Sequence, residues 1–159
     1  MSVFNLIQVI KYRNNMLSLK PITFKDACIF VNENHLHLKA PQGYKFAISA
    51  AIDDDIVCVI MIGRPLNRNL DDGSTLEILR LAGKFINNSS SFLVAAGLKV
   101  CKNLGYKRLI TYIRADEKGH VYKMMGFAAA PKTIGRIWHK NNTLPFPDLI
   151  DKICYVKNL

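Results

Sequence analysis

The chain has 159 residues, 50% of them hydrophobic, and 22 Lys and Arg against 12 Asp and Glu give a formal charge of +10. That length suits one domain with a proper core, and the composition excludes a disordered chain. No apolar run is long enough to span a membrane, and the opening MSVFNLIQVIKY lacks the basic start and small-residue cleavage site of a secretory signal.

The basic excess favours polyanionic partners, whether nucleic acid, a nucleotide cofactor or an acidic surface. The basic residues are scattered, however, and form no long block. Cys28, Cys58, Cys101 and Cys154 lie far apart in apolar segments. Their spacing fits neither a zinc knuckle nor a disulfide framework, so buried free thiols in a reducing cytoplasm are expected. A monomer or a homodimer is equally compatible with the sequence.

In chain order, residues 1–16 carry a helical stripe of Val3, Leu6, Ile7 and Ile10 but no cap, and read as an extension before a domain over 17–159. Residues 17–22 read as a strand. Thr23-Phe24-Lys25-Asp26 resembles a capping box with Asp in place of Glu, and Phe24, Ala27, Cys28 and Val31 form an apolar stripe behind it. This helix ends near Asn34. If the next segment is extended, His35 and His37 share a face. They fit ordinary surface histidines, acid–base or substrate-binding groups, or two ligands of a metal completed by Asp116 or Glu117.

Residues 45–52 and 56–63 read as a hairpin around Asp53-Asp54-Asp55, which lacks the spacing and glycine of a calcium loop. Gly63-Arg64-Pro65 leaves that hairpin in a basic loop ending at Leu70-Asp71-Asp72-Gly73. Arg64 and Arg68 could hold phosphate or an acidic substrate, or could pair with Asp71 and Asp72.

A central strand follows, in which Leu76, Ile78, Leu79 and Leu81 alternate imperfectly with Glu77 and Arg80. A carboxylate there is costly unless paired or functional, so Glu77 is either an ion-pair partner or a general base. Arg80, three residues on, is expected on the opposite face. Residues 82–88 form a loop. Phe92, Ala95, Ala96, Lys99 and Val100 then recur at helical spacing until Asn103-Leu104-Gly105 stops the helix. Asn88, Ser89, Ser90 and Ser91 stand at its start. They either cap it or, with its free N–H groups and dipole, bind an anion.

Residues 106–113 return as a strand, which makes a strand–helix–strand unit with a right-handed crossover. Residues 119–125 form a short helix containing Tyr122, a core or surface tyrosine or an acid. Residues 128–133 and 134–139 read as strand, 141–147 as a loop, and 153–156 as the final strand.

The strand, polar loop, helix and strand, followed by Tyr122-Lys123-Met124-Met125-Gly126-Phe127, resemble the GCN5-related N-acetyltransferase (GNAT) superfamily. The resemblance implies an α/β (α+β) domain with a mixed, mostly antiparallel sheet, a splayed central strand pair and helices on both faces. It implies an acyl-CoA cofactor, acetyl-CoA first, lying along Leu81, Ala82 and Gly83 with its pyrophosphate at Asn88 to Ser91. The acceptor would be an amine. Glu77, or His35 or His37, would take its proton, and Tyr122 would protonate the leaving thiolate. Arg64, Arg80 and Tyr112 would contact the substrate. The family's glycine-bearing pyrophosphate loop is replaced here by Phe85-Ile86-Asn87-Asn88-Ser89-Ser90-Ser91.

Leu19 to Thr23, the His35/His37 segment, Gly63-Arg64-Pro65, Leu70 to Gly73, Thr75-Leu76-Glu77, Arg80-Leu81, Asn88 with Ser91, Leu104-Gly105-Tyr106 and Thr111-Tyr112 resemble a narrower group. It is the phage- and mobile-element-associated GNAT-like branch, distantly similar to Mom-type proteins that modify adenine in DNA. With the basic excess, that resemblance implies a second function, nucleobase modification in DNA; the altered pyrophosphate loop leaves a third, a non-catalytic module that binds nucleic acid.

Overall fold

The computed structural model describes residues 16–36, 38–130 and 151–159. The expectations for residues 1–15, for His37 and for 131–150 lie outside the described residues. Seven strands and three α-helices are described: β1 (Ser18–Lys20), α1 (Phe24–Asn34), β2 (Phe46–Ile52), β3 (Asp55–Gly63), β4 (Thr75–Gly83), α2 (Ser89–Asn103), β5 (Arg108–Arg114), α3 (His120–Met124), β6 (Ala128–Ala129) and β7 (Lys152–Asn158). A short 3-10 turn, Arg68–Leu70, lies between β3 and β4.

The strands form one sheet in the order β1-β2-β3-β4-β5-β7-β6. Every neighbouring pair is antiparallel except β4 with β5. That pair is parallel because α2 carries the chain back along the sheet between them.

Local chemistry explains where the elements begin and turn. At α1 the Thr23 hydroxyl accepts the Asp26 N–H at 3.1 Å and donates to the Asp26 carboxylate at 2.6 Å. Asp, one methylene shorter than the Glu of a full capping box, takes the hydroxyl as its partner. Asp53 and Asp54 turn the hairpin with φ of 48° and 68°. Both central residues are left-handed, as a tight hairpin turn demands, and aspartate tolerates that better than most residues.

The core has two faces. On one, Leu93, Val94 and Cys101 of α2 cover Ile60, Ile62, Leu76 and Ile78 of the sheet. On the other, Ala27, Phe30 and Val31 of α1 cover Val59, Met61 and Ala82. Helices thus lie on both faces. A Cβ on Gly97 would stand 2.9 Å from Ile62 Cδ1, so the missing side chain lets α2 approach the sheet. Glycine costs the helix about 1 kcal/mol, while each aliphatic side chain sealed beneath it contributes roughly 1.5–3 kcal/mol. Close packing wins.

Two irregularities in the middle of the sheet position the site. β4 and β5 pair only from Thr75↔Arg108 to Ile78↔Thr111. Beyond that β4 runs on to Gly83 paired only with β3, and β5 to Arg114 paired only with β7, so the pair opens into a fork. The second is a bulge. Ile62 of β3 faces Ile78, yet Met61 faces Arg80, so Leu79 is an extra residue on β4. The bulge inverts the alternation of everything after it. Leu76 and Ile78 point to the α2 core before it, while Leu81 points there and Ala82 to α1 after it.

Candidate functional site

The fork divides the site into two sides. On the α2 side, residues 81–83 bond across one edge to β3, where Leu81, Ala82 and Gly83 face Ile60, Val59 and Cys58. Their other edge faces the fork, past the end of the pairing with β5. An extended ligand arm can therefore pair with backbone groups there, as an added strand would.

The strand ends close to the start of α2. Phe85 and Asn88 adopt φ of 58° and 64°, and neither is glycine. Asn is among the residues that most readily hold the left-handed conformation. Asn88 occupies the N-cap position but makes no side-chain capping bond, so of the two alternatives for Asn88 to Ser91, capping by the Asn88 side chain does not hold. The serine hydroxyls are turned to carbonyls: Ser89 Oγ donates to Ile86 O at 2.8 Å and Ser91 Oγ to Asn88 O at 3.0 Å. Any phosphate here would be met by first-turn N–H groups and the helix dipole more than by Ser89 or Ser91 hydroxyls. Ser90 Oγ lies 4.0 Å from Cys58 Sγ. Burial pushes the Cys58 thiol up to about 11, so it stays protonated.

Tyr122 of α3 lies at the apex of the fork. The Thr111 hydroxyl, beside the phenol, donates to the Ile78 carbonyl at 3.3 Å, across the last paired residues of β4 and β5. The Tyr122 ring packs edge-on to Phe127 at 5.6 Å and against Tyr155 at 6.0 Å. Burial pushes its hydroxyl up to about 12, so it remains a proton donor throughout the neutral range.

Glu77, Arg80 and Tyr112 occupy the opposite face. Glu77 is 4% exposed, and its Oε2 accepts the Leu66 N–H at 2.8 Å. Burial raises its pKa above the ordinary carboxylate value, opposed by the Leu66 bond and by the charges of Arg80 and Lys152. Gly63 stands opposite it on β3. Tyr112, opposite Cys154 on β7, has neighbours in Cys154, the Asn67 side chain and the Glu77 charge, and burial raises its pKa. Arg80 donates from Nε to the Lys39 carbonyl at 2.6 Å. The expectation that Arg80 faces away from Glu77 is overturned by the bulge at Leu79, which turns both to one side.

The other candidates fall elsewhere. His35 ends α1, where its N–H bonds to Val31 O at 2.8 Å and its Nδ1 accepts the Leu38 N–H at 3.1 Å. That sets it in the turn after the helix. His37 lies outside the described residues. Arg64 pairs with Asp71, Nε to Oδ2 at 2.9 Å, beside an open depression of about 390 Å³ at the start of β4. Asp116 is held by both arms of Arg114 at 3.0 and 2.9 Å. Among the described residues no group of three His, Cys, Asp or Glu is arranged to hold a metal.

Sequence reasoning missed Asn67, Lys152, Cys154 and the Leu66 amide as neighbours of Glu77 and Tyr112. Their positions depend on long-range pairing, and no local pattern announces them. The bulge did leave a signal, the adjacent apolar pair Ile78-Leu79 in an otherwise alternating strand.

No protein-family model matches the sequence, and no curated protein matches it significantly. Solved structures do match in fold. An N-acetyltransferase from Staphylococcus aureus Mu50 aligns with a TM-score of 0.69 at 12% identity, over 90% of this chain and 98% of its own. An acetyltransferase of the GNAT family from Streptococcus pneumoniae gives 0.67 at 15%, over 91% and 99%. An acetyltransferase from Bacillus subtilis, solved in complex with CoA, gives 0.64 at 13%, over 92% and 99%. The architecture is the GNAT fold: one α/β domain on a seven-stranded, mostly antiparallel sheet.

Proposed function

We propose that the protein is an acyl-CoA-dependent N-acyltransferase, with acetyl-CoA as donor and an amine as acceptor. The fork between β4 and β5 carries this reading, because it leaves one edge of residues 79–83 open beside the uncapped start of α2. The pantetheine arm would pair with that edge and the pyrophosphate would rest on the first turn of α2. A backbone N–H near Leu81 would polarise the thioester carbonyl.

In the reaction the amine nitrogen attacks the thioester carbon, a C–N bond forms, and the C–S bond breaks. Glu77 takes the amine proton, directly or through a water, and Tyr122 gives its own to the departing thiolate. Three observations support these roles. The Leu66 N–H fixes one oxygen of Glu77, burial raises its affinity for a proton, and the Tyr122 phenol stands at the apex of the fork. The acetyltransferase from Bacillus subtilis solved with CoA supports the donor.

The test is calorimetric titration of acetyl-CoA into the purified chain, followed by mass analysis of amine acceptors incubated with both. Binding with a stoichiometry near one and an acyl adduct on an amine supports the reading. No binding at saturating acetyl-CoA sinks it.

The formal +10 charge supports a second reading, in which the acceptor is a nucleobase of DNA, as the resemblance to the phage-associated branch implies. Intact-mass analysis of nucleosides from expressing cells tests it, and unmodified nucleosides reject it.

A further inference from the structure

Arg80 connects parts of the chain that the reaction scheme leaves unconnected. It is on β4 immediately after the bulge, on the same face as Glu77. Its Nε donates to the carbonyl of Lys39, in the segment between α1 and β2, and its Nη1 donates to the carbonyl of Leu79 within the bulge. The segment is held from its other side by α1: the Leu38 N–H bonds to His35 Nδ1 at 3.1 Å and the Ala40 N–H to Asn32 Oδ1 at 2.8 Å. Residues 38–40 are therefore tied on one side to α1 and on the other to one guanidinium, with Ala40 packed on the α1 core between them.

We propose that Arg80 is a positioning residue, a strap that fastens the Lys39 carbonyl to the sheet and so holds residues 38–40 on the face of the sheet that carries Glu77. The assignment of that face to the acceptor rests on the acyltransferase reading, but the strap itself does not. The planar guanidinium suits the task. It reaches a loop carbonyl and a bulge carbonyl at once, with a rigid fork that lysine lacks. A hydrogen bond from a charged donor to a carbonyl is also roughly twice as strong as a neutral one.

The same cation stands beside Glu77. The charged and titratable groups around that carboxylate are Arg80 on β4, Tyr112 on β5, and Lys152 and Cys154 on β7. Of these, Arg80 and Lys152 favour its ionised form, with burial opposing both. Arg80 thereby couples the position of residues 38–40 to the charge state of Glu77.

Two variants separate the two tasks. Arg80→Met removes both fork and charge, and Arg80→Lys keeps the charge alone. Hydrogen exchange of the Leu38 and Ala40 amides reads the strap, and carbon NMR of the Glu77 carboxyl reads the charge. In both variants exchange at Leu38 and Ala40 is expected to quicken about tenfold to a hundredfold, the loss of one charged hydrogen bond. The Glu77 titration is expected to move upward in Arg80→Met and to stay near wild type in Arg80→Lys. Unchanged exchange at both amides in a folded Arg80→Lys protein overturns the proposal. Quickened exchange in a protein that binds no acetyl-CoA retires the acyltransferase reading and leaves the strap standing.

Discussion

Glu77 and Arg80 are three positions apart on one strand and still share a face, because Leu79 between them has no partner on β3. In a regular strand that spacing would separate them. The bulge sets the buried carboxylate beside a cation, and it turns Leu81 back to the core. One inserted residue thus arranges both sides of the fork.

The bulge has little room. A Cβ on Gly63 would stand 2.7 Å from Leu79 Cδ1 and 3.2 Å from Tyr44 Cα. Gly63→Ala is therefore expected to destabilise the fold by about 1–3 kcal/mol, the usual cost of overpacking. Trimming the side chain it meets, as in Gly63→Ala/Leu79→Ala, is expected to cost less than the sum of the two single changes. Urea unfolding of the four proteins in a double-mutant cycle measures this. Strict additivity would show that Gly63 is not there to accommodate Leu79.

Glu77→Gln sets activity against stability. Burial raises the carboxyl pKa, so this group's stabilising contribution is fully present below the ordinary carboxylate range. It is lost as pH rises through the raised value, above which the ionised group is a cost. Glutamine can still accept the Leu66 N–H but carries no charge. The variant is expected to lose the decline in stability that Glu77 causes with rising pH, and to be no less stable than wild type at neutral pH. Its kcat is expected to fall about 10²–10⁴-fold, the range of a lost general base. Thermal unfolding across pH beside steady-state rates checks both halves, and a variant with full activity would remove Glu77 from the mechanism.

Much of the fold was legible because its elements follow local rules. Thr23 with Asp26, the aspartate turn and the stripe of α2 all predict their elements from nearest neighbours. The fork could be expected only by resemblance, since the place where β4 leaves β5 depends on partners far along the chain. The site was harder to read. Glu77 stands out as a carboxylate in an apolar strand, but its contacts come from Leu66, Arg80 and Lys152, which the register alone brings together. Assuming regular alternation through Ile78-Leu79 put Arg80 on the wrong face. The capping residues misled for another reason: Asn88 and the serines suit a helix start, yet the Asn88 side chain makes no capping bond and the Ser89 and Ser91 hydroxyls go to nearby carbonyls.

Tyr122→Phe isolates one proton. The ring contacts with Phe127 and Tyr155 persist, and Thr111 keeps its bond to the Ile78 carbonyl. Stability is expected to change little, while kcat falls about 10²-fold or more if the phenol protonates the thiolate. Because burial pushes the wild-type hydroxyl up to about 12, it gives no alkaline limb to the rate profile below that pH. The loss should shrink with acyl donors whose thiols are more acidic, since these depart without a proton. An equal loss with every donor would make Tyr122 a packing residue only.

Substitutions at Asn88 test whether the start of α2 receives an anion. Its φ of 64° is left-handed, a conformation open to glycine and costly, at about 1–2 kcal/mol, for a side chain branched at Cβ. Its side chain makes no capping bond, so the backbone shape is what the position supplies. Asn88→Gly is therefore expected to bind acetyl-CoA as wild type does. Asn88→Val is expected to weaken binding about tenfold, because valine disfavours the turn that aims the first N–H groups of α2. Calorimetry of the two variants measures the difference, with S-acetylpantetheine as the control lacking a pyrophosphate. That control should lose its sensitivity to the substitution. If valine and glycine bind acetyl-CoA equally, the pyrophosphate does not rest on this turn.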